Sequence, residues 1–103
     1  MKMNEQENII QEAIGKVEHP AIATTLLDLG MLKDITVTPD GKVTLTLFLP
    51  LPNIPDNVRG FLIKSIESAA QSTGGELSTV KLALMDEEER QNFLMKEQLY
   101  WKG

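Results

Sequence analysis

His19 is the only histidine of this chain, and cysteine is absent. An imidazole can act as a general base or a pH-sensitive contact, but one imidazole without partners makes no metal site. The second place for chemistry is the loop Pro50-Leu51-Pro52-Asn53-Ile54-Pro55, between a strand pattern and a helix pattern. Helix N-terminal amides favour anions, and loops at such junctions often carry function. This loop holds no thiol, hydroxyl, imidazole or amine side chain. Asn53 and Asp56 flank the helix start, where free amides would suit a carboxylate or phosphate; Pro55 removes one donor and Asp56 repels anions. Capping is the simpler role for both. The run Asp86-Glu87-Glu88-Glu89 lacks the glycine turn and alternating oxygens of a calcium loop, and reads as a helix start. No nucleophile elbow or phosphate-binding glycine loop is present. Tyr100 and Trp101 are residue types favoured at binding hot spots. They either fold back onto their own domain or dock on a partner or second copy.

Elements must position these residues. Ile9, Ile10, Ala13, Ile14 and Val17 form one stripe, predicting a helix over 4–17 capped by Asn4 with Glu7 in box spacing. His19-Pro20 breaks it. One helical turn follows within 21–29, with Ile22, Leu26 and Leu27 on a shared face, and Gly30 ends it. A strand over 31–38 alternates Met31, Lys33, Ile35 and Val37 against Leu32, Asp34, Thr36 and Thr38. Pro39-Asp40-Gly41 is a hairpin turn, because proline presets φ and glycine accepts positive φ. The second strand, 42–49, carries Val43, Leu45, Leu47 and Leu49 on one face and is the more central by its apolar content. A helix over 55–73 buries Val58, Leu62, Ile66, Ala69 and Ala70, with Phe61 alongside; Gly74-Gly75 stop it. A strand over 77–85 places Val80, Leu82 and Leu84 together. A last helix opens at Asp86 with a capping box to Glu89 and lacks a tidy apolar stripe. The order α-β-β-α-β-α predicts a two-layer α+β sandwich, with helices on one face of a small mixed three-stranded sheet.

At 103 residues the chain is long enough for one domain with a modest core. Its net charge of −5 and scattered Lys and Arg argue against nucleic acid as a partner. Without cysteine there is no disulfide or thiolate site, which fits a reducing compartment. The polar start Met1-Lys2-Met3-Asn4-Glu5-Gln6-Glu7 has no apolar signal core, and the apolar stretches are too short to span a bilayer. The expectation is a cytoplasmic protein with no membrane contact.

The segment Val17-Glu18-His19-Pro20-Ala21-Ile22, followed by Leu26-Leu27-Asp28-Leu29-Gly30-Met31-Leu32-Lys33-Asp34-Ile35, resembles the DUF59 or MIP18-like domain. That domain is linked to iron–sulfur cluster assembly and forms the N-terminal part of Mrp/ApbC-type proteins. Its pattern is a helix, Asp-Pro-Glu, a Leu-Gly-Met step into a hairpin, Thr-Thr-Pro-x-Cys-Pro, a helix and a strand. The resemblance runs from about residue 8 to 85, leaving 86–103 as a helical extension of a single domain. It departs at the functional positions. His19-Pro20-Ala21 replaces the two carboxylates, and Pro52 stands where relatives carry cysteine; Pro50 and Asp56 are retained.

The resemblance therefore implies the fold and a link to iron–sulfur biology, without cluster ligation here. The expectation is a non-enzymatic adaptor, without cofactor or metal, that contacts a protein of the assembly machinery or a second copy. Tyr100 and Trp101 are its candidate interface. The alternatives are a small-ligand protein or enzyme using His19, Asn53 and Asp56 beside Pro52, and an accessory factor acting through protein contacts alone.

Overall fold

A computed structural model of the chain describes residues 4–102. The reading of Met1–Met3 as a polar start lies outside them. In chain order the elements are α1 (Glu5–Gly15), β1 (Leu32–Val37), β2 (Lys42–Leu49), α2 (Asp56–Ser72), β3 (Glu76–Leu84) and α3 (Glu87–Tyr100). The sheet order is β1-β2-β3, with β1 antiparallel and β3 parallel to the central β2. A parallel neighbour needs a crossover, and α2 supplies it. The fold is the two-layer α+β arrangement expected from the pattern.

The core lies between the helices and one sheet face. Val43, Leu45 and Leu47 are fully buried, and they meet Ile10 and Ile14 of α1 and Leu62, Ile66 and Ala70 of α2. Burying one such Leu or Ile fully contributes about 1.5–3 kcal/mol, so this cluster dominates the driving force. The caps agree with the sequence. The Asn4 side chain accepts from the Glu7 N–H at 2.8 Å, and Asp86 with Glu89 forms a reciprocal capping box. Pro55 is the residue before α2, one position earlier than expected, and offers no side-chain cap.

Two local expectations need correction. Simple alternation fails in β1: Leu32 and Val37 are both buried, opposite Leu47 and Val43. The register slips by one between Lys33 and Thr36, where Asp34 takes a φ of 56°. This bulge returns both apolar ends of the strand to the core. Leu27 does not share a buried face with Ile22 and Leu26; it is half exposed while they are buried. The turn after Thr25 is closed by the Leu29 N–H on the Thr25 carbonyl and points Leu27 outward. Val80, Leu82 and Leu84 do share a face, paired with Leu45, Leu47 and Leu49, although Leu82 and Leu84 stay half exposed. They sit on an edge strand that the helical layer covers incompletely.

Candidate functional site

The end of β2 leads into the site. Leu49 and Pro50 are buried, Leu51 is exposed, and Ile54 is half-buried before α2 begins. Gly30, at a φ of 77°, turns the chain so that Met31 enters beside β2, where its carbonyl accepts from the Phe48 N–H at 2.7 Å. Beyond β3 the Met85 N–H donates to the Leu49 carbonyl at 2.9 Å, which aims the chain into α3.

A cavity of about 220 Å³ opens between these pieces. Met31 and Leu49 form its floor, Val58 and Leu62 of α2 one wall, and Pro50, Leu51 and Ile54 another. The opposite wall is α3, through Arg90, Phe93, Leu94 and Glu97. His19 completes the rim.

His19 sits in a small turn held by a Glu18–Thr25 bridge and by its own N–H on the Thr24 carbonyl at 3.1 Å. The Ala21 N–H donates to His19 Nδ1 at 3.0 Å. In the neutral ring the proton therefore lies on Nε2, which is a donor. Burial first, and then the nearby Lys102 ammonium, hold the imidazole pKa below its ordinary 6.5. This arrangement opposes a general-base role, because the basic nitrogen is occupied and no carboxylate orients the ring. Among the described residues, no Ser, Thr, Lys or Cys lines the cavity to act as nucleophile.

The structure brings only part of the expected set together. His19 lines the cavity. Pro52 is exposed and lines a shallow groove on another side, with Leu49, Arg59, Leu82, Ala83 and Leu84. Asn53 is exposed in the loop, and Asp56 is paired with Arg59 one turn along α2. Neither lines the cavity. Tyr100 and Trp101 close the chain back onto its own domain. The Ala23 N–H donates to the Tyr100 carbonyl at 2.7 Å, and Trp101 bridges Ile22, while both rings remain about half exposed.

The α3 wall escaped sequence reading. Arg90, Phe93, Leu94 and Glu97 follow i, i+3, i+4, i+7 spacing, but two of the four are charged and break the apolar stripe. Only Phe93 of α3 is buried. Ion pairs strap the helix down: Glu89 pairs with Lys33, and Lys96 Nζ lies 3.0 Å from the Asp28 carboxylate.

Iron–sulfur clusters need thiolates, or imidazoles beside them. The donors on this cavity are one imidazole and one carboxylate, and the sequence holds no cysteine. Among the described residues no three His, Asp or Glu side chains are grouped to hold a metal ion. These residues do not fit ligation of a cluster. Nor is any helix long and apolar enough to cross a membrane, among the described residues.

An open mixed sheet with helices on one face, and a strand-to-helix junction at the end of its central strand, define a small two-layer α+β domain. A solved domain of that class, the DUF59 domain from Bacillus anthracis, superposes with a TM-score of 0.60 over 87% of this chain and 90% of its own, at 14% identity. The family described as iron-sulfur cluster assembly protein matches residues 7–82, and the chain belongs to that family. A protein of Porphyromonas gingivalis named Fe-S protein maturation auxiliary factor is 31% identical over 93 residues, covering 90% of this chain and 85% of the relative. An iron-sulfur cluster carrier protein of Mycobacterium tuberculosis is 30% identical over 81 residues, 79% of this chain but 21% of the relative. The wall supplied by α3 lies beyond the residues that the family match covers.

Proposed function

We propose that this protein serves iron–sulfur cluster maturation as a non-catalytic adaptor that binds a protein partner and leaves cluster ligation to others. The observation that carries the reading is the β2–α2 junction, where Pro50 to Pro55 include no thiol, hydroxyl, imidazole or amine side chain. Kinship with a maturation auxiliary factor and with cluster carrier proteins supports the process. Exposed Leu51, Met95, Leu99 and Trp101 supply the apolar surface that a protein contact needs. The partner belongs to the assembly machinery, or is a second copy of the chain.

Anaerobic reconstitution with ferrous iron and sulfide tests the ligation half. The protein should stay colourless and carry no stoichiometric iron after desalting. A stable visible-range chromophore would refute the reading. Affinity copurification from the native host, with mass spectrometry, tests the partner half. Maturation factors or apo forms of iron–sulfur proteins should be enriched, and enrichment of none of them counts against the adaptor role.

A further inference from the structure

The cavity beneath α3 has the chemistry of a small-molecule site. Its volume of about 220 Å³ exceeds that of the ~150 Å³ apolar cavities known to stay dry and take up benzene. Met31, Leu49, Leu62 and Phe93 give it an apolar interior, and all four are nearly fully buried. Few polar groups face it, as in ligand pockets generally. His19 offers an Nε2–H donor, because Nδ1 is already engaged by the Ala21 amide. Glu97 offers a carboxylate with no ion-pair or hydrogen-bond partner among the described residues. Arg90 also lines the cavity, and its guanidinium is shared with Glu87 one turn away on α3.

We infer that this cavity binds a small neutral amphiphile, with an apolar body of benzene's size or slightly larger and a hydroxyl or amide head at the rim. The head group must both accept, from His19, and donate, to Glu97. A carboxylate would meet the unpaired Glu97, while the cations nearby, Arg90 and Lys102, are each shared with another carboxylate, Glu87 and Glu18. Burial, and then Lys102, disfavour the charged form of His19, which makes it a poor source of a further cation. The site goes beyond the adaptor reading and does not depend on it. Its wall comes from α3, outside the residues matched by the family.

Benzyl alcohol and benzoate are the probes. Methyl-detected NMR titration of the full chain should show saturable shifts at Met31, Leu49 and Leu62 with benzyl alcohol, with a Kd on the order of 1 mM. Benzoate should bind at least about tenfold more weakly, since a buried unpaired charge is costly. His19→Ala should weaken benzyl alcohol about three- to tenfold, the worth of one hydrogen bond. Leu94→Trp places bulk at a half-exposed rim position, where folding tolerates it, and should abolish the shifts. Non-saturating shifts, shifts confined to the exposed outer side of α3, or equal binding of benzoate would overturn the proposal. So would protection of the same methyls by a protein partner alone and by neither probe.

Discussion

Removing the Phe93 ring should detach α3 while leaving the sheet and its two covering helices folded. Phe93 is 5% exposed and is the sole buried side chain of that helix. Its other attachments are surface ion pairs, which contribute little when solvent screens them, and backbone bonds near its C-terminal end. Phe→Ala at a buried site costs about 3–5 kcal/mol. Phe93 belongs to the core cluster, and at most core positions this would be drawn from global stability. Here the helix can release first, so the loss is drawn from local docking. A loss of that size corresponds to about two to four orders of magnitude in the local opening equilibrium. Hydrogen exchange of Phe93→Ala should therefore show faster exchange over 87–100 by that factor, with β2 and α2 amides unchanged. The far-UV signal should fall as well, because α3 contributes 14 helical residues beside 11 in α1 and 17 in α2. If amides throughout β2 and α2 accelerate together with those of α3, the helix is a cooperative part of the core and the reasoning fails.

Two further outcomes follow from particular residues. His19 has a folded-state pKa below its unfolded 6.5, so the unfolded chain takes up protons first as pH falls. Stability should be fully present above about pH 6.5 and decline as pH drops toward the folded value. His19→Gln should flatten urea midpoints across that window, ahead of the lower range where carboxylates titrate; an unchanged pH profile would rule the histidine out as its source. Asp34 holds a positive φ in the β1 bulge. Asp34→Gly should be neutral or stabilising by up to about 1 kcal/mol, while Asp34→Val should cost about 1–2 kcal/mol. Equal urea midpoints for the two variants would show that the bulge relaxes at no cost.

The element order was legible in the chain because each segment obeys its own period. Ile10 and Ile14, or Leu62, Ile66 and Ala70, repeat at helical spacing; Val43, Leu45, Leu47 and Leu49 alternate. Turn chemistry fixed the joints at Pro39-Asp40-Gly41 and at Gly74. The absence of any thiolate was likewise complete at the level of composition.

Local pattern could not reveal the bulge at Asp34, which exists only because Leu32 and Val37 must both meet β2's buried face. Nor could it assign sides to the loop. His19 and Pro50 face a cavity, while Pro52 lines a groove on another side, and these surfaces depend on how distant segments stack. The cavity's opposite wall comes from α3, whose inward set mixes Phe93 and Leu94 with Arg90 and Glu97. Composition and periodicity settled what each segment is and which reagent is missing. Packing settled what encloses space, because a cavity belongs to no single segment and arises only where several of them meet.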